Sequence, residues 1–576
     1  MRTSALQYLY LQKPVSSVII ICAIALLPFI NSDFYTKGEP REASVSVAML
    51  KSGNWILPKV YAQEFAYKPP LTHWLIAVFS LPKGHVSEFT SRLPSALAQI
   101  IMIASMLVFF GKRIRFQEAF IATLILITCF EIHRAGMTAR VDMLLTAFIV
   151  FGLMCLYRWE NRLELKGLPL TAPLLFSCAI LTKGPVGVIL PLFVFFIYLL
   201  SLRKYGFFKI IKSLIYIGIS SVFIPMLWYV AAYRQGGEEF LNMVLAENLG
   251  RFFHLSESNI NYDLGHKEGI FYNILTLLAG FVPWTLLFVF SLSGIRWRKP
   301  HKSVKQLLKN ALTSFDSIDK MKRFSIVAAL CIIFFYTIPA SKRSVYLMPA
   351  YPFISLLLAQ YFIYITENRS KVTRIFGAVL ASIALIVFLA LFLIMTGIVK
   401  IGSYISDDSL RSVIDTLTAC SISEILVMLL FLISIITVIY QLSKRINIKI
   451  LYSTILLTFC INFFIDGIIM KGIRQDRSAK PFAEQIRKEY NLDNENVYVM
   501  NNLREYLNLY ALNFYMGNRF RNFETDKPES GFFLAAENDL PKIMERYGAQ
   551  YEFERLKVSC RLGDIRRRAV LLKFNR

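Results

Sequence analysis

The sequence predicts an α-helical polytopic membrane protein with a small C-terminal α/β soluble domain. Three observations predict it. Of 576 residues, 55% are hydrophobic and only 18% are charged, against about 25% charged in an average soluble domain. About thirteen stretches are long and apolar enough to read as spans of roughly 20 residues. Every second loop between them is rich in Lys and Arg, the bias of short cytoplasmic loops. The net charge of +25 suggests a nucleic-acid partner at first, but a soluble binder of this length would not carry so little charge in total. No nucleic acid is expected. The apolar content excludes disorder, and the length excludes a small disulfide scaffold.

The predicted spans lie near 15–32, 93–111, 116–132, 141–157, 170–184, 186–202, 210–232, 270–293, 324–340, 345–365, 374–399, 422–441 and 448–470. The first follows Arg2 and Lys13. Its apolar run is long, and Asn31-Ser32-Asp33 is not a small-residue cleavage site, so it reads as an anchor that stays. With the N-terminus inside, the inner loops are 112–115, 158–166, 203–212, 296–309 with 320–323, 367–374 and 443–449. Together with the N-terminus they hold roughly 27 Lys and Arg and about six acids. A missed helix would invert every later loop, so the regularity supports the count. An odd number of spans leaves the C-terminal region outside. Cys22, Cys129, Cys155, Cys178, Cys331 and Cys460 fall in spans and read as small buried hydrophobes.

The chain therefore divides into a membrane domain, 1–470, with a long first outer loop at 33–92, and an extracytoplasmic α/β domain, 471–576. In the latter, 496–500, 531–536 and 568–574 look like strands, and 478–490 and 539–548 look like helices.

Charges in the outer loops need a reason other than topology. The first loop carries Glu39, Arg41 and Glu42 at the exit of the first span, then an amphipathic stretch ending near Gly53. Tyr67-Lys68-Pro69-Pro70 and a short apolar run through Trp74 follow. Such pieces suggest helices lying in the membrane interface. Glu39 alone also reads as a solvated loop carboxylate. Asp142 opens a span, where a carboxylate favours the helix N-terminus; Arg134 and Arg140 flank it. Lys183 lies between two short spans, close to apolar surroundings where a charge is costly unless it snorkels or serves a function. Another outer amphipathic helix is expected at 237–254, with Arg251, and His266 follows in the next segment. Lys342 and Arg343 sit outside directly before a span and break the charge rule. Cations beside a membrane with carboxylates among them suit a phosphate-bearing lipid: the cations hold the phosphate, and a carboxylate serves as general base.

These residues carry a resemblance. GEPREA (38–43), YKPPLTHWL (67–75), SRLPSA (91–96), RVDMLLTAF (140–148), LTKGPVG (181–187), ENLGRF (247–252), GFVPWT (280–285) and KRSVYLMPAYP (342–352) occur in one order. In that set the chain resembles the protein mannosyltransferase / lipid A aminoarabinose transferase superfamily. The resemblance implies an integral-membrane glycosyltransferase of the GT-C type, in the bacterial inner membrane. Its active site would face the periplasm. It would take a sugar from a polyprenyl phosphate carrier and pass it, with inversion, to a lipid A, glycan or protein acceptor. The resemblance also implies roles. Glu39, Glu42 and Asp142 share the acid positions, with Gly38 where the family has Asp. Arg41, Lys68, Lys183, Arg251, Lys342, Arg343 and Tyr346 fall around the carrier phosphate. Tyr67 replaces an acid that ligates metal in some relatives, and His266 matches its partner, so a divalent metal is left open. The alternative is a transporter or flippase of lipid-linked sugars; no internal repeat supports it.

Overall fold

A computed structural model describes residues 2–62, 64–250, 268–293, 313–339, 341–399, 421–502 and 505–576, together with Gln306, Arg411 and Ile414. Arg251 and His266 lie outside the described residues.

Every predicted span contains helix. The chain runs α1 (Arg2–Leu26), α2 (Gly38–Ser52), β1 (Lys59–Val60), β2 (Glu64–Phe65), α3 (Leu71–Ser80), α4 (Glu88–Gly111), α5 (Phe116–Thr128), α6 (Phe130–Gly136), α7 (Val141–Leu163), α8 (Thr171–Lys183), α9 (Val186–Leu202) and α10 (Phe207–Leu245). It continues with α11 (Tyr272–Gly280), α12 (Trp284–Leu292), α13 (Lys320–Thr337), α14 (Tyr351–Asn368), α15 (Ser370–Met395), α16 (Ile422–Lys444), α17 (Asn447–Phe464) and α18 (Met470–Arg477). Among the described residues seven helices are long and apolar enough to cross a membrane, or nine if each bent pair is one span. The bent pairs are α5–α6, turned by 66°, and α11–α12, turned by 108°. The second was expected as one span, 270–293, whereas the expected span 116–132 covers α5 and only the start of α6. Composition does not reveal the turn in the second pair, because both of its arms are apolar. In the second pair Pro283 stands at the break, where a ring without an N–H ends a helix.

The apolar core joins α1, α4 to α9, α13 and α14. Outside it, Ile219 and Phe223 on α10 are each 69% exposed, and Ile386 on α15 is 66% exposed. Such surfaces on helices of this length belong against lipid. The polypeptide is a multi-pass membrane protein.

The C-terminal region holds α19 (Lys480–Glu489), β3 (Val497–Val499), α20 (Tyr510–Tyr515), β4 (Arg521–Asn522), β5 (Ser530–Ala536), α21 (Leu540–Tyr547), β6 (Glu552–Leu562) and β7 (Arg567–Asn575). The five strands form one mixed sheet in the order β4-β3-β5-β7-β6. The three expected strands and two expected helices are all there. The sequence reading missed β6, the longest strand. It is an edge strand that alternates poorly and carries Glu, Arg and Lys, the composition that protects sheet edges and hides a strand signal.

The first outer loop departs from expectation. Its α2 is covered by protein. Nine of its fifteen residues are buried, because α2 is wedged between α3 and α20. Only α3 keeps an exposed apolar edge, at Val78. Beyond α2, the Tyr61 ring is 2% exposed and inserts into the C-terminal core, 4.9 Å from the Tyr510 ring. Its Oη accepts from the Leu509 N–H at 3.0 Å. Phe34 meets Phe514 edge-on at 5.0 Å, and its N–H donates to Tyr515 Oη at 2.9 Å. The loop is thus the bracket that holds the C-terminal region on the membrane helices.

Removing that bracket's central ring has a definite cost. Tyr61→Ala is expected to destabilise the C-terminal region by about 3–5 kcal/mol, and Tyr61→Phe by only about 1 kcal/mol. Thermal unfolding and limited proteolysis in detergent check this: the alanine variant should be cleaved within 471–576 well before wild type.

Candidate active site

Three carboxylates from the sequence reading lie at one end of the membrane helices, and all are buried: Glu39 at 1%, Glu42 at 4% and Asp142 at 4% exposure. They are not equivalent.

Glu39, in the first turn of α2, faces Arg92 in α4. Arg92 Nε and Nη2 reach Glu39 Oε1 and Oε2 at 2.7 and 3.2 Å. The Ala139 N–H donates to the same carboxylate at 3.1 Å, and Thr36 Oγ1 at 3.2 Å. Arg92 Nη1 reaches back to the Ile30 carbonyl at 3.0 Å and to that of Ser32, and its guanidinium lies 4.9 Å over the Phe34 ring. Burial opposes the Glu39 charge, but Arg92 and the Ala139 N–H outweigh it and hold the carboxyl below its usual range. Expected as a catalytic acid, Glu39 is instead fully engaged in a buried strut and borders none of the clefts described below.

Glu42, one turn on, meets a different set of partners. It pairs with Lys68, with Arg41 at 3.2 Å and with His73 Nε2 at 2.9 Å. Pro69 and Pro70 stiffen the segment that carries Lys68 into α3, so His73 arrives one turn later on the same carboxylate. Burial works against the Glu42 charge. The Lys68 ammonium, the His73 hydrogen bond and Arg41 override it and hold the carboxyl well below the usual carboxylate range. Burial and the Arg41 guanidinium in turn pull Lys68 down to about 8, although Glu42 and Glu247 favour its charge.

Asp142 opens α7. Arg140 Nε reaches its Oδ2 at 3.3 Å, and Lys183, at the end of α8, reaches its Oδ1. Lys183 also stands 4.2 Å over the Tyr346 ring. Gly38 is tied to this group by space. A Cβ there would meet Arg140 Nη1 at 2.6 Å, so Arg140 occupies the volume a side chain at position 38 would need.

One cleft gathers Arg41, Glu42, Tyr67, Lys68, Arg140, Asp142, Lys183, Glu247, Arg343 and Tyr346 among its lining. Five are cations and three are carboxylates, an excess of two positive charges. It shares Arg41, Glu42, Tyr67 and Lys68 with a largely apolar chamber that adds Tyr61, Phe65, His73 and Tyr510. On the other side it shares Arg140, Asp142 and Arg343 with a cleft bordered by Arg134, Tyr272 and Ser344. Of the expected cations, Arg41, Lys68, Lys183 and Arg343 are brought together, with Tyr346. Lys342 is not: it is 5% exposed and donates to the Glu268 carbonyl at 3.1 Å, away from the cleft. Sequence reasoning missed His73 and Arg92. An arginine at the start of an apolar stretch was the available signal for Arg92; nothing marked His73.

Among the described residues no group of three or more His, Cys, Asp or Glu is placed to hold a metal. Glu42 and Asp142 already meet cations, so a divalent ion beside them would face like charge. The set fits an anion better than a metal.

Three comparisons bear on this geometry. The family profile described as dolichyl-phosphate-mannose-protein mannosyltransferase matches residues 67–229, which include Lys68, Asp142 and Lys183. An undecaprenyl phosphate-alpha-4-amino-4-deoxy-L-arabinose arabinosyl transferase of Shewanella sediminis is 22% identical over 364 residues, 61% of this chain and 60% of that one. A second transferase of that name, from Proteus mirabilis, is 23% identical over 343 residues, 58% of this chain and 57% of its own. The chain thus spans about three fifths of the length of these curated relatives. The crystal structure of ArnT from Cupriavidus metallidurans bound to undecaprenyl phosphate aligns with a TM-score of 0.69 at 16% identity, over 97% of each chain. The fold is shared throughout, the C-terminal region included.

Breaking the strut should cost more than deleting it. Arg92→Met leaves Glu39 buried and unpaired and is expected to destabilise by about 3–5 kcal/mol, whereas Glu39→Met with Arg92→Met should recover most of that. Thermal unfolding of the three proteins in one detergent decides it.

Proposed function

We propose that this chain, which belongs to the protein mannosyltransferase / lipid A aminoarabinose transferase superfamily, moves a sugar from a polyprenyl phosphate carrier to an acceptor at the periplasmic face of the bacterial inner membrane. The acceptor is a hydroxyl or phosphate of lipid A, a glycan or a protein. The observation that carries the reading is the cleft with two positive charges in excess, set at the outer ends of membrane helices. A carrier phosphate, a lipid anion held at that depth, supplies the missing negative charge.

The residues then divide the work. Lys68, Lys183 and Arg343 hold the carrier phosphate and stabilise it as it leaves. Asp142 positions Lys183 and Arg140 by pairing with both. Glu42 is the general base. It borders both the cationic cleft and the largely apolar chamber, so an acceptor seated in that chamber beside Phe65 presents its hydroxyl to the carboxylate. Before the donor binds, Lys68 and Arg41 keep Glu42 a weak base. A phosphate that draws Lys68 away removes the largest of those stabilising charges, and the carboxylate becomes more basic when it is needed. The acceptor oxygen bonds to the anomeric carbon from the face opposite the carrier. The carbon–oxygen bond to the phosphate breaks, the proton passes to Glu42, and the configuration inverts. Arg251 and His266 join this site only by the sequence resemblance. No step is routed through a metal.

Transfer from a labelled polyprenyl phosphate sugar in proteoliposomes tests the reading. Glu42→Gln is expected to lower kcat by roughly 10²–10⁴-fold. Asp142→Asn should act mainly by raising the KM for the donor. Wild-type rates in both variants would sink the acid roles, and translocation of the carrier without transfer would make the protein a transporter. The pH dependence is a separate check. Lys68 is charged below about 8 and loses its proton above it, so kcat/KM for the donor should be level below that pH and fall through it. Lys68→Arg should abolish that inflection while keeping measurable turnover.

A further inference from the structure

We propose that the arginines flanking the β6–β7 turn form a docking surface for the anionic phospholipid headgroups of the membrane that holds the protein. Arg561, Arg566, Arg567 and Arg568 are all exposed. Their hydrogen bonds run only to the Arg566 carbonyl, from Arg561 Nε at 3.2 Å and Arg567 Nη1 at 3.0 Å. Among the described residues no carboxylate pairs with any of the four, whereas Arg555 and Lys557 on the same strand pair with Glu537 and Glu489.

The ladder makes this arrangement costly. Arg561 stands directly opposite Arg568 in the β6–β7 pairing. Like charges directly opposite on one face are destabilising. An anion between them converts the repulsion into two attractions, and guanidinium groups suit phosphate.

The position of the turn identifies the anion. Gly563 is pressed against the segments that follow the first and the last span. A Cβ on it would meet the Tyr35 carbonyl oxygen at 2.4 Å, and its N–H donates to the Arg477 carbonyl at 2.9 Å. Tyr35 follows the end of α1 by nine residues, and Arg477 ends α18, which continues from the last span. The turn therefore packs on the segments that lead out of both the first and the last span. On this proposal the arginines reach the headgroup layer with extended side chains, within a Debye length of about 8 Å in physiological salt. The inward bias of Lys and Arg does not account for them if that side is the outer one.

Cys560 makes the test direct, because it is exposed and adjoins Arg561, while the other described cysteines are buried or half-buried. The full chain, in a Cys420→Ser background, is labelled at Cys560 with a fluorophore and reconstituted into vesicles that contain headgroup-quencher lipid. One set is phosphatidylcholine alone and the other is phosphatidylcholine with phosphatidylglycerol. Quenching should be at least ~2-fold greater with phosphatidylglycerol, and the excess should vanish in ~1 M salt. The triple variant Arg566→Gln, Arg567→Gln, Arg568→Gln should lose the excess. The triple lysine variant at those positions should keep it, which separates charge from folding. Equal quenching in the two vesicles, or an excess that survives the glutamine substitutions, overturns the proposal.

Discussion

The buried Arg92–Glu39 pair is the contact on which the outer half of the molecule depends. One guanidinium binds the start of α2, the carbonyls that close α1 and, through Glu39, the N–H that leads into α7. These three segments deliver Glu42, the first-loop cations and Asp142. Because the guanidinium is planar and its donors are fixed in direction, the three cannot shift independently. An isolated charge at this depth would be very costly, so the pair holds only while every partner is present.

Around that anchor the cleft is arranged so that Glu42 and Asp142 each meet cations, while the cations outnumber the acids by two. This is the economy of a site that waits for an anion. Opposed carboxylates would repel in the empty state, and lone lysines would shed protons. Here the Glu42–Lys68–Arg41 and Asp142–Lys183–Arg140 groups each set one carboxylate against two cations and so each carry one net positive charge. Arg343, between the two clefts, keeps a cation at their junction.

Much of this was legible in the sequence, and the limits have physical causes. Span positions were readable because lipid demands long apolar helices, and Lys68, Asp142, Lys183, Arg343 and Tyr346 stood out as charges or aromatics where topology required none. The turn within α11–α12 was not readable, since a change of direction leaves hydropathy unaltered. Partner choice was the other blind spot. Glu39 and Glu42 are three residues apart and chemically alike, yet one meets Arg92 and the other Lys68. Only the placement of α4 and α3 distinguishes them. Lys342 and Arg343 are adjacent and equally anomalous in charge, but successive side chains diverge, so one is buried on the Glu268 carbonyl while its neighbour lines the cleft. The charged edge strand β6 was hidden by the same residues that keep it from pairing with other chains.

Gly38 carries a consequence for the cleft. The Arg140 guanidinium occupies the volume above it, so the two positions share one space. A side chain at position 38 would have to displace the Arg140 guanidinium, and with it the Arg140 contact to Asp142. A substitution at position 38 therefore reaches the cleft through its arginine, with no contact to the carboxylate itself.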